Sequence, residues 1–145
     1  IIELLVVITV IGLISAVTLA IFSKPKTDSR DVRREADMKE LQNAIALFST
    51  NKGYYPVCSS MTPINGTSDC LSAALIAENA MPQVPVDPRG TGPCTGLPLS
   101  PLPQEFGYCY QTNAIGNDYA LYYHLENAVH NSGVPIGSGW YRINP

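Results

Sequence analysis

The sequence predicts an α+β protein in which a long N-terminal helix packs on a small antiparallel β-sheet. Three observations indicate this fold class. Residues 1–23 carry one charge, on Glu3, and are otherwise mostly apolar. Residues 24–52 combine charges of both signs with an apolar stripe at helical spacing. The rest of the 145-residue chain is rich in turn-forming residues and contains short runs that alternate apolar and polar side chains.

The first element is a hydrophobic helix, expected over residues 1–24. From Leu4 to Ser23 no residue is charged, and 20 helical residues span roughly 30 Å, the thickness of the hydrocarbon core of a bilayer. A cleaved signal peptide would have a basic start and a shorter apolar run. We therefore expect a retained helix that crosses a membrane or forms the core of a filament.

The second element, residues 25–52, is expected to continue this helix in amphipathic form. Charged pairs four positions apart, such as Arg33 and Asp37, support a helix, and Gly53 follows its predicted end. Read as one element, Ile1–Lys52 would be a rod about 75 Å long. The predicted apolar stripe consists of Val32, Ala36, Met38, Leu41, Ile45 and Phe48.

Residues 53–145 are predicted to form a globular head. A short helix is expected over Leu71–Ala80, with Ser68 or Asp69 as its N-cap. Met81–Pro103 holds seven prolines and is predicted to be irregular.

Three antiparallel strands are predicted for the head. In the first, Phe106, Tyr108 and Tyr110 alternate with polar or small residues. A turn at 116–118 leads to the second, in which Tyr119, Leu121, Tyr123 and Leu125 share a face. The third is expected at Trp140–Ile143.

The cysteines predict disulfides. An even number of cysteines in a small, loop-rich head is typical of an oxidising compartment. A zinc site is the alternative, but the cysteine spacings are wide. Three pairings are possible, and we favour the sequential one because it closes short loops: Cys58–Cys70 and Cys94–Cys109.

Composition and motifs give little support to two classes of function. With 14% charged residues and a net charge of −3, the chain shows no electrostatic pattern typical of nucleic-acid binding. No nucleophile elbow, metal-binding helix or phosphate loop occurs in the sequence. We therefore do not expect an enzyme.

The run Ile1-Ile2-Glu3-Leu4-Leu5-Val6-Val7-Ile8-Thr9-Val10-Ile11-Gly12-Leu13 closely resembles the N-terminal signature of mature type IV pilins and type II secretion pseudopilins. The charged helix over Arg30–Phe48, followed by Gly53-Tyr54-Tyr55-Pro56, is also similar to this family, and Val84–Pro88 resembles a loop of major pseudopilins. The resemblance implies a basic leader that a prepilin peptidase removes before methylating the new N-terminal amine. It also implies that Glu3 neutralises the N-terminal ammonium of an adjacent subunit during assembly.

Two departures from the family pattern concern the same helix. The pattern has a Phe and one further residue ahead of the position of Ile1, so either these residues precede Ile1 in the mature chain or its processing differs from that of the family. Many pilins also have a proline where this chain has Ala20, and that proline helps to unwind the helix in the filament. Gly12 is the alternative point of loosening, and close helix packing is an equally good explanation for it.

By resemblance, we expect the structural subunit of a type IV pilus-like filament. The subunit would be stored in the cytoplasmic (inner) membrane and would form an extracellular homopolymer with the help of pilus assembly machinery. One alternative is the major pseudopilin of a type II secretion or DNA-uptake system, which forms a short periplasmic pseudopilus. Another is a membrane-anchored binding module that never polymerises.

Two further sites follow from loop motifs in the head. The resemblance to major pseudopilins suggests a structural calcium ion, for which Asn117 and Asp118, and less directly Asp87, supply oxygen ligands. Otherwise the segment 116–118 is only a turn, and no other cofactor is expected. Asn65-Gly66-Thr67 is a sequon for N-glycosylation.

Overall fold

The computed structural model describes residues 1–21, 24–94, 106–127, 133–137 and 139–145. It is an α+β fold with N-terminal helices and a five-stranded antiparallel sheet. The strand order is β1-β2-β3-β5-β4. The helices are α1 (Ile2–Ile21), α2 (Lys24–Lys52) and α3 (Cys70–Ala77), and the strands are β1 (Thr62–Pro63), β2 (Cys109–Thr112), β3 (Tyr119–His124), β4 (Val134–Gly137) and β5 (Trp140–Ile143).

Two hydroxyl groups among the described side chains of α1, residues 1–16, hydrogen-bond within the helix. The hydroxyl of Thr9 donates to the carbonyl of Val6, and that of Ser15 donates to the carbonyl of Ile11, each at 2.8 Å. Within the part of the chain described here, none of the helices combines the length and the apolar character that a membrane crossing requires. The predicted continuity of α1 with α2 depends on residues 22–23, which lie outside the described residues.

Helix α2 packs one face on the sheet, and this face differs from the predicted stripe. Val32 is 53% exposed and Ala36 is also exposed, so the prediction was wrong for these two residues. The buried face follows steps of three and four residues from its C-terminal end towards its N-terminal end. It consists of Phe48, Ile45, Ala44, Leu41 and Met38, and then of Asp37, Arg34 and Asp31.

The inner face of the sheet covers the apolar part of α2. The predicted face of the second strand is confirmed, because Tyr119, Leu121, Tyr123 and Leu125 all belong to the main core. The β5 range also agrees with the prediction. Strand β2 begins at Cys109 and not at Phe106. The preceding residues pack on a loop instead, because the backbone at Gly107 approaches that of Gly92 closely.

The two edge strands are not predicted from the sequence. Strand β1 has two residues and β4 has four, and each contains a proline. Proline lacks the N–H that a central strand needs and is therefore tolerated at sheet edges. The proline in each edge strand limits further strand pairing at that edge, and it also weakens the sequence pattern that would predict a strand.

Helix α3 and the disulfides stabilise the loops around this sheet. Asp69 is the N-cap of α3, and its carboxylate accepts a hydrogen bond from the backbone N–H of Ser72 at 2.9 Å. The helix ends at Ala77, before the predicted Ala80. The structure contains Cys58–Cys70 and Cys94–Cys109, which is the sequential pairing. Residues 81–94 form no helix or strand, and the rest of the segment predicted as irregular, 95–103, lies outside the described residues.

Candidate assembly site

Helix α1 presents apolar side chains on all its sides. Every residue from 1 to 16 is exposed, and the large side chains among them are each at least half exposed. Because no face of α1 is buried against the head in this range, the helix offers a complete apolar cylinder to other molecules. The exposed apolar residues are Ile1, Ile2, Leu4, Leu5, Val6, Val7, Ile8, Val10, Ile11, Leu13 and Ile14.

Glu3 lies in the first turn of α1, and its side chain is exposed. A carboxylate at this end of a helix interacts favourably with the helix dipole. In an apolar environment its charge would still cost free energy unless a cation lay close to it. The structure thus places one exposed acid at the N-terminal end of an apolar cylinder.

Gly12 lies in the middle of α1, and the helix is regular through it. A Cβ atom added at Gly12 would have no neighbour within 4 Å. The single chain therefore gives Gly12 no packing role. Close approach of another helix and local unwinding in an assembly both stay predictions for this residue.

The N-terminal half of α2 is attached to the head through buried charges. The side chain of Arg34 is fully buried, as are those of Asp31 and Asp87. The Arg34 guanidinium donates to both carboxylate oxygens of Asp87, at 2.7 and 3.1 Å, and to Asp31 at 2.7 Å. Burial lowers the pKa of Arg34, but its hydrogen bonds with these carboxylates outweigh that effect and raise the pKa above its ordinary value.

Glu126, in the segment after β3, joins these buried charges. Together with Arg30 and Arg89 they form an ion cluster, which consists of Arg30, Asp31, Arg34, Asp87, Arg89 and Glu126. Arg30 donates to both carboxylate oxygens of Glu126 at 2.6 Å, and Arg34 donates to one of them at 3.0 Å. The hydrogen bonds from Arg30 are the largest cause that lowers the pKa of Glu126 to about 2. Arg89 lies 3.6 Å from the same carboxylate. Three guanidinium groups and three carboxylates thus balance one another at the joint between α2 and the head.

Backbone and aromatic contacts hold the ion cluster in place. The two carboxylate oxygens of Asp31 accept hydrogen bonds from the backbone N–H groups of Glu126 and Asn127, at 3.0 and 2.7 Å. The Arg34 and Arg89 guanidinium carbons lie 4.8 and 4.0 Å from the ring centre of Phe106. The ion cluster therefore connects α2 with the loop that carries Asp87 and the loop that follows β3.

The ion cluster uses one of the three residues proposed for calcium. Both oxygens of Asp87 are engaged by Arg34, so Asp87 acts as an anion partner within the fold. Asn117 and Asp118 lie at the hairpin between β2 and β3, where Asn113 hydrogen-bonds to both of them. Over the described ranges of the chain, no group of three or more His, Cys, Asp or Glu side chains is arranged to hold a metal ion.

Asn65 has a structural role in the turn before α3. Its side-chain oxygen accepts hydrogen bonds from the backbone N–H groups of Thr67, Ser68 and Asp69, at 3.0, 2.9 and 3.2 Å. Its side-chain nitrogen donates to the hydroxyl of Ser68 at 3.0 Å. The amide therefore orders this turn, and its glycosylation stays a prediction.

No protein-family model matches this chain, and no significant match was found among curated proteins or solved structures.

Sequence reasoning missed the ion cluster, including its members Arg34, Asp31 and Glu126. The helical phase of the stripe could have revealed the first two, because positions 48, 45, 41, 38, 34 and 31 continue one pattern of three- and four-residue steps. We found no comparable signal for Glu126, which is brought to the ion cluster by the sheet.

Proposed function

We propose that this protein is the structural subunit of a type IV pilus-like filament, which polymerises through α1. The observation that carries the proposal is the apolar cylinder of residues 1–16, exposed on every side and joined to a head with its own core and two disulfides. The resemblance of the first 13 residues to the pilin signature supports the same conclusion.

The physical argument concerns the apolar surface of α1. Exposing large apolar patches to water is unfavourable, and patches of this size mark contacts with lipid or with other proteins. In the proposed cycle α1 rests in the cytoplasmic membrane, and assembly then exchanges lipid contacts for contacts with the α1 helices of other copies. A prepilin peptidase and an assembly machinery are the further partners of this cycle.

Glu3 sets the register of assembly in this proposal. A carboxylate and an N-terminal ammonium in apolar surroundings cost much less free energy together than apart. One such pair for each subunit favours the single axial position at which the two charges meet. Repetition of this head-to-tail contact does not close on itself and gives an open filament.

The ion cluster suits the mechanical demands on such a subunit. The head must stay attached to α2 when the filament is pulled, and α2 carries both the ionic and the apolar contacts to it. Two disulfides add covalent constraints to the head. The surface of the filament would consist of the heads, which places them outside the cell in a pilus.

A pseudopilus in the periplasm is the second candidate. Residues 84–88 resemble a loop of major pseudopilins, and Asp87 of this loop is the bidentate partner of Arg34. The loop therefore contributes to the stability of the joint between α2 and the head. This role fits either a pilus or a pseudopilus, so the length and location of the filaments decide between them.

The test compares two charge-neutralising variants of the full-length chain in the cells that encode it. Glu3→Gln removes the acid of α1, and Glu40→Gln removes an exposed acid of α2 and serves as the control. Filaments sheared from the cells are imaged by electron microscopy and identified by mass spectrometry. We expect Glu3→Gln to reduce filament yield at least tenfold while subunit levels in the membrane fraction stay equal.

The outcomes separate the candidates. Long surface filaments that depend on Glu3 support the pilus, and short periplasmic filaments that depend on Glu3 support the pseudopilus. An abundant membrane-bound subunit with no filaments of either kind contradicts polymerisation and leaves an anchored binding module. Filaments that form normally in Glu3→Gln contradict the role of Glu3 in register.

A further inference from the structure

The outer face of the sheet, opposite α2, contains a polar hollow of about 380 Å³. The small side chain of Ala120 lies at its floor, paired across the strands with Gln111. Tyr122 and Arg142 are paired on the next two strands and form one wall. The small side chain of Ala120 leaves room for the hollow on this face.

Arg142 differs from every other arginine of this chain. Four of the five arginines lie within 4 Å of a carboxylate: Arg30, Arg33, Arg34 and Arg89. Among the residues that the structure describes, Arg142 has no such partner, and its Nε atom is buried without a hydrogen-bond acceptor. A buried donor without an acceptor is unfavourable. Because no carboxylate of the described residues lies within 4 Å of the Arg142 guanidinium, an anion in the hollow would supply its missing charge partner.

The other lining groups suit a ligand with several hydroxyl groups. The side chains of Gln111, Asn113 and Asn144 offer both donors and acceptors, and Asp118 offers a carboxylate acceptor. The phenol of Tyr122 donates to the Gln111 side-chain oxygen at 3.2 Å. These groups can hydrogen-bond to neighbouring hydroxyl groups of a sugar ring. The methyl group of Ala120 provides a small apolar area for the C–H groups of the ring.

The rim of the hollow is ordered before any ligand arrives. Asn113 accepts a hydrogen bond from the backbone N–H of Asn117 at 3.1 Å, and the Thr112 hydroxyl donates to the carbonyl of Asp118 at 3.1 Å. The carbonyl of Gly116 accepts a hydrogen bond from the N–H of Tyr55 at 2.7 Å. A rigid rim reduces the entropy that binding must overcome.

We propose that this hollow binds a hexuronic acid unit of a glycan, with Arg142 recognising its carboxylate. Arginine matches the planar geometry of a carboxylate with two parallel hydrogen bonds. The volume lies at the low end of the roughly 300–1,000 Å³ found for small-molecule sites and suits one sugar ring. Asp118 lines the same hollow and repels a doubly charged phosphate more strongly than a singly charged carboxylate. The proposal does not depend on filament formation, because the site belongs to the head.

The test uses the full ¹⁵N-labelled chain in non-ionic detergent and titrates it with D-glucuronate, with D-glucose as the uncharged match. The arginine Nε–H signals report on the contact directly. We expect saturable shifts of the Arg142 signal with glucuronate and at least tenfold weaker binding of glucose. Arg142→Gln should weaken glucuronate binding at least tenfold, whereas Arg33→Gln, on the α2 side of the sheet, should leave it unchanged.

Two further variants test the place of binding. Ala120→Trp fills the hollow and should abolish binding, and Gln111→Ala, at an exposed position that leaves the fold intact, should weaken it severalfold. Three results would overturn the proposal. These are the absence of saturable binding to the unaltered chain, equal binding of glucose and glucuronate, and binding that persists in both Ala120→Trp and Gln111→Ala.

Discussion

Helices α1 and α2 differ in the exposure of their apolar side chains. In α1 every residue from 1 to 16 is exposed, and no face is selected. In α2 one face is buried against the sheet, and its exposed faces carry most of the remaining charges. The two helices are neighbours in sequence and are followed by the same head. The difference in burial therefore comes from their own residues.

The buried face of α2 is itself divided. Its C-terminal half is apolar and belongs to the main core, whereas its N-terminal half is a neutral ion cluster around Arg34. The head thus covers the buried face of α2 with apolar and ionic contacts, whereas residues 1–16 of α1 stay exposed. The comparison indicates that α2 and the head form the folding unit, and that residues 1–16 of α1 contribute nothing to its core.

The ion cluster provides the strongest test of this division. Arg34→Ala would leave Asp31, Asp87 and Glu126 without their central cation in a buried place. Removal of one partner from a buried ion pair typically costs 3–5 kcal/mol, so we expect a loss of about that size in the free energy of unfolding. The measurement is urea unfolding of the full chain in detergent, followed by the fluorescence of Trp140, the chain's single tryptophan, which is buried.

Arg33→Ala is the matched control for this variant. Its side chain is 63% exposed and lies 3.9 Å from Asp37, and exposed ion pairs contribute about 0–1 kcal/mol. If Arg34→Ala and Arg33→Ala were equally mild, the ion cluster would not be what holds the N-terminal half of α2 on the head.

The same substitution in both helices sharpens the comparison further. Leu41 in α2 is fully buried, and Leu13 in α1 is 73% exposed. Leu41→Ala leaves a cavity in the core and should cost about 2–5 kcal/mol. Leu13→Ala should change the unfolding free energy of the head by less than about 0.5 kcal/mol. A large effect of Leu13→Ala in the same urea experiment would show that α1 packs on the head after all.

These two helices also show how far the sequence could predict the fold. The apolar run of α1, the C-terminal half of the α2 stripe, strand β5 and the core face of β3 are all confirmed. Each of these elements has a period that matches its secondary structure, and each buries or exposes side chains of one kind. In such places the local pattern and the final structure obey the same constraint.

The sequence-based predictions fail where apolar residues are exposed and charged residues are buried in the folded chain. Val32 and Ala36 are apolar, but they lie out of phase with Met38 and Leu41 and are exposed. Arg34 and Asp31 lie in phase and are buried. Arg34 neutralises Asp31 three residues away, but the other partners of Arg34 are Asp87 and Glu126, which lie on two distant loops that a single sequence does not reveal. The Arg142 hollow was missed for the same reason, since its residues meet only in the folded sheet.

The pH dependence of stability is the third way to examine the joint. Hydrogen bonds, first from Arg30 and then from Arg34, lower the pKa of Glu126 from 4.5 to about 2 in the folded chain. A lowered pKa stabilises the fold above the pKa of the unfolded chain, and this contribution is lost as the pH falls. We therefore expect roughly 2 kcal/mol of stability to disappear between pH 4.5 and 2.

Glu126→Gln identifies the residue responsible for this acid dependence. The variant should be less stable at pH 6 and should lose less stability between pH 4.5 and 2 than the unaltered chain. Glu40→Gln should keep the original pH profile, since Glu40 is an exposed acid outside the ion cluster. An unchanged pH profile in Glu126→Gln would mean that other carboxylates cause the acid sensitivity.

Gly12→Ala has the smallest expected effect on the subunit and tests the α1 side of the comparison. The added methyl group meets no atom within 4 Å in the subunit, and alanine favours a helix over glycine by up to about 1 kcal/mol. Circular dichroism should therefore show equal or slightly higher helix content. In the proposed filament the methyl group would obstruct close helix packing or resist unwinding, so the filament yield should fall severalfold. Among the described residues, Gly12 makes no contact within the single chain that would explain it. A normal filament yield in Gly12→Ala would therefore mean that Gly12 has no role in assembly, and Glu3 would remain the residue of α1 proposed to direct it.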